Sequence, residues 1–193
     1  QAEGFQRTHD RKKYLLRMLV FALISEIPFN YLYYSSPVFP FHQNVMFTFF
    51  IALLLMLGLE KVRSKGAGLY ILAAVLSLPV GYFLGTLGMV DYYGSGVVTV
   101  LIFYLCRQIP HGWIGEVAGL AFLNCKLLGG MTIPLTLGSW TLEFPEQGLA
   151  LLALIPIWLY NGRQGAHNKA IQYACYAFYP AHMLILALLR MYL

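Results

Sequence analysis

Residues 42–61 read HQNVMFTFFIALLLMLGLEK. Three polar side chains stand in a row, an apolar run broken only by Thr48 and Gly58 follows, and Glu60-Lys61 closes it. At about 1.5 Å of rise per residue, such a run approaches the roughly 30 Å of a bilayer's hydrocarbon core. The stretch therefore predicts a membrane-spanning helix over 44–60. The polar mouth has a physical use. Asn44 is suited to cap the helix by accepting a hydrogen bond from a free N–H of the first turn, and it shares a helical face with Thr48 at i, i+4. The positive end of the helix dipole also favours an anion or oxyanion beside it.

Working outward, the whole chain has this character. Of 193 residues, 59% are hydrophobic and 11% charged, well under the charge density of an ordinary soluble domain. Seven segments approach spanning length: 14–29, 44–60, 67–86, 94–107, 112–130, 146–160 and 171–191. The fold class expected is all-α, a polytopic integral membrane bundle of about seven transmembrane helices forming one domain over 1–193. The fifth segment carries Glu116, Asn124 and Lys126, which predicts a broken or re-entrant element. Cys106, Cys125 and Cys175 show no CxxC spacing and no metal-ligand arrangement, so they read as packing residues. No metal site is expected.

The basic residues test the topology. Arg7, Arg11, Lys12 and Lys13 precede the first segment; Lys61, Arg63 and Lys65 follow the second; Arg107 follows the fourth; Arg163 and Lys169 follow the sixth. Ten of the thirteen Lys and Arg thus fall on one side. The opposite loops, NYLYYSSPVFPFHQ, LGMVDYYGS and MTIPLTLGSWTLEFPEQ, hold none. By the positive-inside rule the N-terminal end is cytoplasmic. His42, Gln43, Asn44 and Asp91 then lie on the outer face. The net charge of +5 is accounted for by insertion topology, and a nucleic-acid partner is not expected.

Polar groups inside the apolar segments are the next candidates, since a charge at the bilayer centre costs on the order of 3 kcal/mol. Arg17 and Glu26 share the first segment but, nine residues apart, point to opposite faces. Arg17 is close enough to the cytoplasmic end to snorkel. Glu26, just before Pro28, lies towards the outer end, where the proline ends or kinks the helix. In the last segment Tyr176, Tyr179 and His182 step along one side, and Pro180 removes the helical donor for the Tyr176 carbonyl. A desolvated imidazole stays neutral and is a usable base. Between the sixth and seventh segments, YNGRQG (160–165) offers glycine amides and the Arg163 fork of donors, a combination suited to phosphate.

Several strings, taken in order, resemble one family. EGFQRT, KKYLLRMLVFALISEIPFN, HQNVMFTFFIALLLMLGLEK, DYYGSGVVTVLIFYL, LYNGRQG and YAFYPAHMLIL match the TraX family from Glu3 to about Leu186. The resemblance implies a polytopic protein of the bacterial cytoplasmic (inner) membrane that transfers an acetyl or other acyl group, as in N-terminal acetylation of F-pilin, with acetyl-CoA as donor. The family pattern begins with two further helices, the first ending in an Asp-His pair, so the chain is expected to be the C-terminal part of a longer membrane domain.

The residues and the resemblance combine into one expectation. Acyl-CoA phosphates bind Arg163, Asn161, Lys169 and Arg11. The acceptor, a pilin or peptide N-terminus or a glycan, meets Gln43, Thr48, Asp91 and Tyr179. A neutral histidine, either His182 or the one of the Asp-His pair that the family pattern places ahead of this chain, acts as general base, with His42, Glu26 and Asn44 in the same machinery. The other class compatible with intramembrane Glu, His and Asn is a small-molecule or ion transporter without covalent chemistry.

Overall fold

The computed structural model describes residues 2–137, 140–163 and 168–192. They form two compact units, Gln1–Leu101 with Gln164–Leu193, and Ile102–Arg163.

The first unit opens with a short helix, α1 (Ala2–Arg7), and continues into α2 (Arg11–Tyr34). Asp10 starts α2 by accepting a hydrogen bond from the Lys13 amide at 3.0 Å, and this bond holds its carboxyl below the usual carboxylate range. Ser35, in the left-handed region at φ 54°, ends it and donates its amide to the Tyr31 carbonyl. Pro28 does not end this helix: it is buried inside it, and the helix runs on to Tyr34. Lipid-embedded bundles tolerate such a proline because neighbouring elements support the interrupted ladder.

Helix α3 (Val45–Arg63) runs antiparallel to α2. Arg11 meets Glu60 at 3.2 Å at one end of the pair, and Asn44 meets Ala22 and Glu26 at the other. Helix α4 (Ala67–Leu87) returns along α3, and α5 (Tyr93–Cys106) begins beside its end. The last helix, α8 (Lys169–Tyr192), runs parallel to α2: Phe21 stacks on Tyr176 at 4.9 Å, and further along the Arg190 guanidinium donates to the Leu32 carbonyl.

Arg11–Tyr34, Val45–Arg63, Ala67–Leu87 and Ala170–Met191 are long and apolar enough to cross a membrane. Their residues are distributed inside-out. Ser25, Asn30, Thr48 and Ser77 are buried while Leu23, Ile27, Val75 and Phe83 are exposed, the arrangement lipid selects and water does not. This is a membrane protein. In this unit Arg11, Lys12, Lys13, Lys61, Arg63 and Lys65 gather at one end of α2 and α3, with His42 and Asp91 at the other.

Helices α4 and α5 touch backbone to backbone. A Cβ on Gly94 would stand 2.1 Å from the Tyr82 carbonyl oxygen, and one on Gly85 would stand 2.7 Å from that of Tyr93. No rotamer change relieves a main-chain clash. Gly94→Ala is therefore expected to destabilise the unit by about 3 kcal/mol or more, read as a lowered thermal unfolding midpoint in detergent. An unchanged midpoint would show that the two helices can part freely.

The remaining expected spans form shorter elements. Besides the last residues of α5, Ile102–Cys106, the second unit holds α6 (Gly112–Phe122), which passes into a π-helical turn at Leu123–Leu127. The predicted break in the fifth segment is thus present as a change of helical pitch. Glu116 accepts a hydrogen bond from the Trp158 indole at 2.7 Å, and Asn124 donates to the Leu120 carbonyl at 2.9 Å, so both polar groups have partners. A 3-10 stretch (Glu146–Ala153) leads into α7 (Leu154–Leu159). Between the π-helical turn and the 3-10 stretch the fold departs from all-α: β1 (Thr132–Leu137) and β2 (Trp140–Pro145) form an antiparallel hairpin where the sequence suggests a plain loop.

Candidate functional site

The chain from Ser35 to Gln43 is extended enough to reach the turn between α4 and α5. There the Gln43 amide donates to the Met89 carbonyl at 2.8 Å, and Gln43 and Val90 form a parallel bridge. Thr48, one turn into α3, donates its hydroxyl to the Asp91 carbonyl at 2.9 Å. These two bonds fix the α4–α5 turn against the mouth of α3. As a result, His42 and Asp91, 49 positions apart in the chain, face each other.

The His42 ring is held on all sides. Its Nε2 lies 3.6 Å from Asp91 Oδ1, and its Nδ1 lies 2.5 Å from the Tyr34 hydroxyl. Phe29 meets the ring edge-on at 5.2 Å, and Tyr93 stacks on it at 6.4 Å. An ionised carboxylate only accepts, so a ring with its hydrogen on Nε2 would turn it to Asp91 and offer the Nδ1 lone pair to the Tyr34 O–H. A Tyr–His–Asp series of this kind can orient an imidazole as a base. Burial pushes the Asp91 carboxyl up, and His42 opposite draws it partly back. The His42 and Asp91 side chains stay 24% and 28% exposed, so a substrate can reach them.

Below this pair lies a closed layer. Asn44 is fully buried. Its Oδ1 accepts from the Met46 amide at 3.0 Å, and its Nδ2 donates to the Ala22 carbonyl at 2.9 Å and to Glu26 Oε2 at 2.5 Å. The cap expected from sequence is present, and both amide hydrogens are used as well. Around Glu26 the polar groups are incompletely matched: Ser25 Oγ, Asn30 Oδ1 and the Tyr179 hydroxyl are buried with no hydrogen-bond partner among the described residues.

The structure thus gathers Glu26, His42, Gln43, Asn44, Thr48 and Asp91. Tyr179, on α8, lies near the Val45 amide at the same mouth. His182 bonds the Phe178 carbonyl at 2.9 Å on its own helix and sets its ring edge-on to Tyr179 at 5.4 Å. Arg11 is elsewhere: it pairs with Glu60 and lines an open cleft of about 730 Å³ with Gln6–Asp10, Lys12 and Leu57. In the second unit Asn161 Oδ1 accepts from the Arg163 amide at 2.9 Å, forming a turn with Gly162 at φ 73°. Residues 164–167 and the Lys169 side chain lie outside the described residues.

Two residues of the site escaped the sequence reading. Asn30 is one turn beyond Glu26, so the i, i+4 step could have found it. Tyr34 reaches His42 across a non-helical loop, where no periodicity marks the pairing.

With this geometry in place, the comparisons with known proteins can be weighed. The family model described as "TraX protein" matches residues 1–190. The chain belongs to the TraX family. A relative from Dichelobacter nodosus, described as "Probable fimbrial assembly protein FimC, serogroup H1", is 28% identical over 203 residues, covering 99% of this chain and 77% of its own length. No solved structure matches. The TraX match takes in both units and every residue of the His42 site.

Proposed function

We propose that this TraX protein is a pilin-related, membrane-embedded acyltransferase of the bacterial inner membrane. It moves an acetyl or other acyl group from acetyl-CoA to an amine or hydroxyl of an acceptor such as a pilin or peptide N-terminus or a glycan. The observation that carries the reading is the imidazole of His42, oriented between the Asp91 carboxylate and the Tyr34 hydroxyl at an accessible mouth.

In this reading the acceptor displaces the Tyr34 hydroxyl at Nδ1, or passes its proton through it. The nucleophile adds to the thioester carbonyl as His42 takes the proton; the C–S bond then breaks, and the thiolate leaves with that proton. The oxyanion needs a donor not already committed. Asn44 has none left, whereas Gln43 donates one amide N–H to the Pro40 carbonyl at 2.9 Å and keeps a second. Asn44 and Glu26 are then the floor of the site, and Tyr179 and His182 its α8 wall. The proposal places the basic end of α2 and α3 in the cytoplasm, with seven crossings in the chain.

Chain geometry restricts the donor. Arg11 and Tyr34 are separated by about 34 Å of helix axis. A pantetheine arm has the backbone length of about four residues, roughly 15 Å when extended. One acyl-CoA therefore does not place its phosphates on Arg11 and its thioester at His42. The same limit applies to Lys169, because α8 starts at the end of α2 that holds Arg11; the phosphate role is left to Arg163, with Asn161. Binding of a non-hydrolysable acetyl-CoA analogue should be saturable and weaken about tenfold in Arg163→Ala, as expected for the loss of one charged hydrogen-bonding partner. No binding at millimolar analogue, in protein shown to be folded, moves a transporter to first place.

A further inference from the structure

The β1–β2 hairpin is amphipathic throughout. Its register pairs Ile133 with Phe144, Leu135 with Leu142 and Leu137 with Trp140; the alternate pairs are Thr132 with Pro145, Pro134 with Glu143 and Thr136 with Thr141. Because successive strand residues point to opposite faces, the register sets Ile133, Trp140 and Phe144 on one face and Thr132, Pro134, Thr136, Thr141, Glu143 and Pro145 on the other. From Met131 to Pro145 the single charge is Glu143, on the polar face.

Among the described side chains, the apolar face is covered at its base. Phe144 lies against Gly148 of the 3-10 stretch, where a Cβ would come within 2.7 Å of its ring. Towards the turn, Trp140 is 81% exposed. The chain leaves the hairpin into further apolar surface, with Leu149, Leu152, Ile155 and Leu159 exposed on the following helical segments.

We propose that this hairpin lies flat in the membrane–water interface, its apolar face turned to the acyl chains of the bilayer that the protein spans. Three physical conditions select that depth. A two-stranded sheet leaves one edge of each strand unpaired, and such edges are not tolerated in hydrocarbon, where no water can satisfy them. A continuous apolar face with an exposed indole is equally unfavourable in water. At the headgroup level the edges are hydrated and the apolar face is covered, and this is where Trp side chains concentrate. The segment is then a surface anchor rather than an aqueous loop, and this inference is independent of any acyl transfer.

The test is tryptophan fluorescence of the full chain in phosphatidylcholine nanodiscs, comparing wild type with Trp140→Phe so that the difference reports Trp140 alone. That component should be quenched strongly by lipids brominated in the upper acyl chain and weakly by aqueous iodide. A second variant, Trp140→Phe with Thr141→Trp, moves the indole to the polar face and should reverse the pattern. Quenching of Trp140 by iodide without quenching by lipid would overturn the proposal. So would protection from both quenchers, which would put the indole against protein, whether a second copy or a docked chain.

Discussion

Replacing His42 by glutamine is expected to lower acyl transfer by about 10²–10⁴-fold, the usual contribution of a positioned general base, while leaving the amount of folded protein nearly unchanged. The side chain is partly exposed and hydrogen-bonds through its edges, and glutamine is polar and of similar length, so little packing is lost. Asp91→Asn should share most of the catalytic loss, because a neutral amide no longer requires the Nε2–H tautomer. The Asp91 backbone carbonyl that binds Thr48 remains in that variant. The two variants should part company in their pH dependence. Burial raises the Asp91 carboxyl in the folded state, so the folded protein binds that proton more tightly than the unfolded chain. Stability from this group is thus present in acid and is lost as pH rises from the ordinary carboxylate value through the raised one. Thermal midpoints across that window should fall for wild type and His42→Gln relative to Asp91→Asn. Parallel curves for all three would remove the burial argument.

A large stability effect is also expected at Asn44. Truncation to alanine removes the helix cap, worth about 1 kcal/mol, and the side-chain hydrogen bonds to the Ala22 carbonyl and the Glu26 carboxylate, about 1 kcal/mol each, while the Asn44 backbone amide stays 3.4 Å from Glu26. The predicted loss is about 3 kcal/mol, seen as a sharp fall in the yield of monodisperse protein. Asn44→Asp keeps the cap oxygen but opposes Glu26 with a second carboxylate, so it should not rescue stability near neutral pH. Full stability with lost turnover in Asn44→Ala would instead make this side chain a direct participant in the reaction.

The long helices were legible because a lipid-facing helix is written in its own sequence. A near-continuous apolar run such as 44–60, closed by Glu60 and Lys61, admits few other structures, and the segregation of basic residues follows from the same constraint. Asn44 was legible for a similar reason, since a cap acts on the helix that follows it. What could not be read was pairing across loops. His42 and Asp91 were both singled out, yet their opposition depends on the Gln43–Val90 bridge, and Tyr34 depends on the path from Ser35 to Gln43. The helix continues past Pro28 because neighbouring elements of a membrane bundle support the interrupted ladder. The hairpin is written in a different signal: TIPLTL and WTLEFP alternate with a period of two, which is invisible at the length scale of a membrane span.

The central claim is that a thioester is cleaved at the His42 site. The most direct measurement is release of free thiol from acetyl-CoA by the purified full-length protein in nanodiscs, with and without a peptide bearing a free N-terminal amine. The account predicts thiol release that requires the peptide and is abolished in His42→Gln protein of equal folded yield. Thiol release that is absent in protein able to bind the analogue, or that persists unchanged in His42→Gln, would contradict it.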